Sequence, residues 1–215
     1  MSNIVQEILA DQTQWPPEMS RVIPDLVAQS PVGGAWPQSG GLALIWDSLA
    51  SGISSTGLTA ISTPTLPTRF THLVVHWQGS VNAAGAFFLG MRINGDSGAH
   101  YYGQRVVANN AAPATTSEVA VTRMIVGLLG GSTNTTYRGS GVIHIPNYNA
   151  PSVALPVTSV SSMFTAATAA GTWSLQSTYM KGDASTNVTS LTFLDTAGNA
   201  FLSNCRFTVF GLGLN

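Results

Sequence analysis

A histidine close to an acidic residue is the arrangement in this sequence that could support acid–base catalysis. An imidazole within reach of a carboxylate can act as a general base, and His100 follows Asp96 by only four residues. His72 and His76 are predicted to lie on one face of a strand, about 13–14 Å apart, which is too far for both to bind one metal ion. The fourth histidine, His144, could pair with an aspartate in the same way.

The motifs that usually accompany catalysis are missing from the sequence. It contains no Gly-x-Ser-x-Gly elbow for a nucleophilic serine, and no pair of carboxylates placed for glycoside hydrolysis. The remaining acids, Asp47, Glu118, Asp183 and Asp195, are interpreted as isolated turn or loop residues. We therefore expect no catalytic residues, and we expect the histidines to lie on a sheet surface or at a subunit contact.

The segment Asn94–Gly98 predicts a tight turn. Asn94 and Gly95 tolerate the positive φ that such turns need, and the strands on either side predict a hairpin. Asp96 can accept hydrogen bonds from amides two residues further on, whereas a calcium loop would need several more oxygen ligands. We therefore expect Asn94, Gly95 and Asp96 to form a structural turn, and we expect neither a metal nor another cofactor.

Aromatic side chains suggest a second kind of site. A platform that holds sugars could be formed by the rings of Tyr101, Tyr102, Tyr137, Tyr148 and Trp173. Aromatic rings in β-sandwiches more often pack in the core or at an interface, so we expect that role for them.

The composition predicts a protein that works in contact with other subunits. Charged residues make up 8% of the chain, against about 25% in an ordinary soluble domain, and the net charge is −1. No strongly basic segment is present, so we expect no nucleic-acid partner. No apolar run approaches about 18 residues, so we expect no membrane span. Without a recognisable signal peptide, we expect the chain to fold in a cytoplasm, with its single cysteine, Cys205, as a buried and inert thiol.

A period of two in the apolar residues predicts strands from about Leu42 onward. Runs such as Leu73–Trp77 and Phe87–Ile93 alternate in this way, and so does the single run Val119–Ile125. Seven or eight strands with Gly, Asn, Ser and Pro between them predict an all-β fold, either an antiparallel β-sandwich or a jelly roll. Two further expectations concern the connections. The segments Gly130–Asn134 and Val157–Gly171 should be loops, and 188–194 should form a hairpin with 201–210.

Residues 1–41 differ from the rest and predict an N-terminal docking arm. They hold five of the 11 prolines and a short stretch of helical spacing from Ile4 to Leu9, which Pro16 and Pro17 must end. The arm is too short to bury its own apolar side chains. We therefore divide the chain into an arm, 1–41, and a β-sandwich domain, 42–215.

Three segments resemble β-sandwich proteins of tailed-bacteriophage particles. These are MRINGDSG at 91–98 with the following Tyr101-Tyr102, GSGVIHIPNY at 139–148, and the closing FLSNCRFTVFGL at 201–212. Their order and spacing are similar to those of the family, and together they span roughly residues 70–212.

The resemblance implies a virion structural protein that is not an enzyme: a capsid decoration or minor capsid protein, a head fibre or a minor tail protein. As a decoration protein it would bind the major capsid protein or neighbouring virion proteins as a symmetric oligomer, for which we expect a homotrimer. The arm would then dock through its apolar side chains, which are Ile4, Ile8, Leu9, Trp15, Val22 and Leu26. The alternative is a minor tail or receptor-binding protein that contacts host-surface glycans.

Overall fold

The computed structural model describes residues 42–108, 113–131, 138–150, 155–164, 172–181, 187–203 and 205–214. These residues form strands and connecting segments, and none of them builds a helix long and apolar enough to cross a membrane. The proposed arm, 1–41, and its six docking side chains lie outside the described residues. The strands are β1 (Ala43–Asp47), β2 (Ala60–Ser62), β3 (Phe70–Gly79), β4 (Ala86–Ile93), β5 (Tyr101–Ala108), β6 (Ala114–Val121), β7 (Met124–Gly130), β8 (Gly139–Pro146), β9 (Leu155–Phe164), β10 (Thr172–Lys181), β11 (Leu191–Asp195) and β12 (Arg206–Leu214).

The strands form two antiparallel sheets. The large sheet has eight strands in the order β1-β12-β3-β8-β9-β10-β5-β6, and the small sheet has four in the order β2-β11-β4-β7. The predicted all-β, sandwich-like fold is confirmed for the described residues. The described residues alone form twelve strands, so the prediction of seven or eight was too low.

The core lies between the inner faces of the two sheets. Leu73, Val75 and Trp77 of β3 are buried there, as their alternation predicts. The ring of Phe193 in the small sheet stacks on that of Phe207 in the large sheet, with centroids 4.4 Å apart. Apolar side chains from both sheets therefore interdigitate, as in other face-to-face packings.

Two predicted hairpins and one predicted continuous strand were wrong, because strands that are neighbours in the sequence lie in opposite sheets. β4 and β5 do not form a hairpin: β4 pairs with β7 and β11, whereas β5 pairs with β6 and β10. In the same way β11 and β12 lie in different sheets, and the run Val119–Ile125 is divided between β6 and β7. Each crossing moves the chain across the core, so that both sheets supply inward apolar side chains.

The segment Val157–Gly171 was predicted as a loop, and this was wrong for its first half. Residues 157–164 belong to β9, which pairs along its length with β10. The inward positions include Ser159 and Ser161, both buried, so the apolar alternation that marks other strands is weak here. In the other predicted loop, Gly130 ends β7, and 132–134 lie outside the described residues.

Candidate functional site

The turn after β4 contains the three residues that were predicted to form it. Asn94 and Gly95 have φ of 54° and 68°, and the Asp96 amide donates to the Ile93 carbonyl at 2.9 Å. The Asn94 side chain also fixes the segment that precedes β11. Its Oδ1 accepts from the Thr189 amide at 2.7 Å, and its Nδ2 donates to a carbonyl at 2.8 Å. The turn therefore ties two distant parts of the chain together.

Asp96 binds three partners. Its Oδ1 accepts from the Gly98 amide at 2.8 Å, while its Oδ2 lies 2.9 Å from His100 Nδ1 and 3.1 Å from Lys181 Nζ. Partial burial acts against ionisation, but the hydrogen bonds from His100, Gly98 and Lys181 outweigh it and lower the pKa of Asp96 to about 2. The carboxylate therefore links the turn to the end of β10.

Tyr101 stabilises the same turn through two hydrogen bonds to the turn's backbone. Its hydroxyl accepts from the Ile93 amide at 3.0 Å and donates to the Asp96 carbonyl at 3.1 Å, and its ring is fully buried. Tyr148 is also buried, so both of these rings pack in the core, which is the alternative that the sequence favoured over a sugar-binding platform. Tyr102 is 40% exposed on the opposite face of β5. The side chains of Tyr137 and Trp173 lie outside the described residues.

Glu118 forms a second, largely buried cluster on the inner side of the large sheet. It makes a short ion pair with Arg105 Nη1, and the Tyr179 hydroxyl donates to its Oε2 at 2.6 Å. Burial and then the neighbouring carboxylate raise the pKa of Tyr179 well above its usual value. The Arg105 guanidinium also lies 4.7 Å from the centroid of the Phe88 ring. Glu118 was predicted to be an isolated loop residue, and this was wrong because its partners come from other parts of the chain.

Two other carboxylates also bind nearby groups. Asp47 lies in β1 rather than a loop and accepts from Arg206 Nη2 at 2.7 Å and from Thr208 Oγ1 at 2.7 Å. Burial opposes ionisation, but these bonds and those from the following backbone lower the pKa of Asp47. Asp195, at the end of β11, accepts from the Asn199 amide at 2.9 Å and closes the following turn. Asp183 lies outside the described residues.

The histidines and the cysteine are dispersed. His76 and His144 are exposed on the outer face of the large sheet, and the ring of His76 contacts Phe210 edge-on at 5.4 Å. Among the described residues, no three His, Cys, Asp or Glu side chains are grouped so that they could hold a metal ion. Cys205 is buried as predicted, which raises the pKa of its thiol, and its Sγ donates to the Ser80 carbonyl at 3.1 Å.

A groove lies on the outer face of the large sheet, across β9, β10, β5 and β6. We call it the outer-face groove, and its volume is about 560 Å³. That is within the usual range for ligand pockets, about 300–1,000 Å³. The outward side chains that line it are exposed and uncharged: Gln104, Val106, Thr115, Ser117, Thr158, Val160, Gln176 and Thr178.

The sequence reasoning did not identify this groove. The sequence pattern that could have indicated it is an uncharged polar residue or a valine at every second position of three strands. Gln104 and Val106 in β5, and Gln176 and Thr178 in β10, are examples. That pattern became meaningful only when the register placed these strands side by side. In addition, part of β9 had been interpreted as a loop.

A second exposed feature is apolar and lies at the opposite edge of the large sheet. Leu42, Leu44 and Leu49, in and beside β1, are 58%, 46% and 62% exposed. We call this group the β1-edge leucines. They directly follow residues 1–41 in the sequence, whereas the groove ends at β6, the other edge of the sheet.

Comparisons with known proteins give no relative. No protein-family profile matches the chain, and no curated protein or solved structure is significantly similar to it. The functional argument therefore depends on the residues themselves and on the resemblance of the three sequence segments.

Proposed function

We propose that the chain is a structural subunit of a bacteriophage virion, a capsid decoration or minor capsid protein that binds the assembled shell as a symmetric oligomer. Such a subunit acts by contact. Because it would bind the assembled shell and not its free components, it would oppose disassembly by mass action.

The observation that carries the proposal is the group of β1-edge leucines. Leu42 and Leu44 are two positions apart along an extended strand, so they lie on the same face, and two large apolar side chains exposed side by side favour a surface that a partner covers. In the sequence, the proposed arm, 1–41, leads directly into this edge. The occupant we propose is the major capsid protein or its neighbours in the shell.

The charges support a contact role in a second way. In the described residues, the carboxylates of Asp47, Asp96, Glu118 and Asp195 all make structural bonds within the chain. The exposed surface is left with few charges, and a neutral surface can be buried against a partner without leaving unpaired ions.

The proposal is tested with a double variant, Leu42→Ser with Leu44→Ser. Both side chains are exposed, so folding stability should change by less than about 0.5 kcal/mol for each. Association with particles that lack the protein, measured by co-sedimentation, should weaken at least about tenfold. The matched control is Leu58→Ser, since Leu58 is 40% exposed outside the strands.

The control variant should co-sediment like the unmodified chain. If the double variant also did so while remaining folded, the β1 edge would not be the docking surface. If the unmodified chain itself never associated with particles, the virion proposal would be wrong.

A further inference from the structure

We propose that the outer-face groove binds a neutral oligosaccharide. This activity goes beyond a role in holding a shell together, and it can be measured on the free chain. It therefore stands or falls independently of the virion proposal.

The first argument is a row of hydrogen-bonding side chains across the groove. The strand register places Ser117 opposite Gln104, Gln104 opposite Thr178, and Thr178 opposite Thr158. These four side chains span three strand spacings, about 14 Å. Hydroxyl and carboxamide groups both donate and accept hydrogen bonds, as the hydroxyl groups of a sugar do, so each can match a sugar hydroxyl in either role.

The second argument is the neighbouring row, which is partly apolar. Here Val106 lies opposite Gln176 and Gln176 opposite Val160, and the two valines are 40% and 58% exposed. A pyranose ring has C–H groups on its faces and hydroxyls around its rim. A polar row beside a partly apolar row fits such a ligand, because the polar side chains can bind the sugar hydroxyls and the valines can pack against the C–H faces. On β5, the 40% exposed Tyr102 lies two residues from Gln104 on the same face, beside the groove rather than in its lining.

The third argument is charge. Among the described residues of these four strands, no Asp, Glu, Lys or Arg side chain lies on the outer face with the groove. Arg105 is among the residues that line the groove, but its guanidinium binds Glu118 on the inner side of the sheet. A nucleic acid or an acidic polysaccharide would find no cation here to offset its charge. The groove therefore favours a neutral glycan over an anionic one.

The fourth argument separates a glycan from a peptide strand. An extended peptide binds a sheet chiefly through unpaired backbone groups at an edge. Most of the groove floor is instead formed by β9, β10 and β5, each paired on both sides, and only its β6 side is an edge strand. A ligand in the groove must therefore be recognised by side chains, and those available are hydroxyls, amides and valines.

The test uses the full-length chain and a glycan array that carries both neutral and acidic glycans. We expect binding to neutral glycans, and the strongest of them is then titrated by calorimetry. A double variant, Gln104→Ala with Gln176→Ala, should weaken this binding at least about tenfold, since two side-chain amides are lost. The matched control is Gln78→Ala, because Gln78 lies in β3 of the same sheet, outside the groove.

Three results would overturn the proposal. The first is that no neutral glycan binds or that acidic glycans bind more tightly. The second is that the double variant binds as well as the unmodified chain, which would place the ligand elsewhere. The third is that the unmodified chain is an oligomer, that Val160→Glu converts it into monomers, and that neither the oligomer nor the monomer binds a glycan. The groove would then be a contact between copies of this chain.

Discussion

Asp96 connects the turn after β4 to the end of β10 through one side chain. Its partners are the Gly98 amide, His100 and Lys181, and Lys181 is 85 residues away in the sequence. The local bond to the amide two residues on could be predicted from the sequence, because Asp in a turn commonly makes it. The contact with Lys181 could not, since it exists only where the turn and the end of β10 meet.

Replacing Asp96 by Ala should lower the free energy of unfolding by about 1 kcal/mol at pH 7, as for other hydrogen bonds of a partly exposed carboxylate. The folded-state pKa of about 2 is below the ordinary value of 3.8. The stabilisation is therefore fully present above about pH 4 and is lost as the pH falls towards 2. Chemical denaturation of both proteins at pH 7, 4 and 2 measures this difference. Ser97→Ala, an exposed neighbour, is the control, and a difference that did not shrink at low pH would contradict the account.

Tyr179 and Tyr102 allow a matched pair of substitutions. The Tyr179 hydroxyl donates to the largely buried carboxylate of Glu118, whereas the Tyr102 side chain is 40% exposed. Tyr179→Phe should lower the free energy of unfolding by about 2 kcal/mol, since Glu118 would lose a charge-assisted hydrogen bond. Tyr102→Phe should change it by less than about 0.5 kcal/mol. Urea denaturation measures both, and equal effects would show that the Glu118 cluster does not brace the sheet.

At the scale of the elements, the sequence predicted strands better than their partners. The Asn-Gly turn forms with positive φ at both residues, yet it joins strands of different sheets. Turn chemistry fixes only the local reversal of the chain, whereas pairing depends on which apolar faces must meet in the core. β9 was missed for a related reason, because its inner face carries buried serines such as Ser159, whose hydroxyl bonds to that of Ser177 at 2.6 Å.

The close approach of the two sheets at Gly127 leads to a prediction about packing. A Cβ added at Gly127, in β7, would lie 2.1 Å from Cζ2 of Trp77, in β3. Gly127→Ala should therefore lower the free energy of unfolding by about 2 kcal/mol through overpacking. Trp77→Phe shortens the ring and should reduce the cost of the alanine. A double-mutant cycle measures this coupling, and simple additivity would show that the Trp77 ring is not the cause.

For the whole molecule, the low content of charged residues and the net charge of −1 favour association between copies of this chain in solution. We expect a homotrimer with a mass about three times the 22.4 kDa of one chain. Size-exclusion chromatography with light scattering measures this mass. A monomer across the micromolar range would contradict the expected oligomer.

The most direct test of the virion proposal is the number of copies of this chain per particle. Quantitative mass spectrometry of purified particles gives this number relative to the major capsid protein. We predict hundreds of copies, as expected for a subunit repeated over an icosahedral shell. A dozen copies or fewer would contradict the decoration role and favour a tail or vertex position with receptor binding. Absence from the particles would contradict the virion proposal itself.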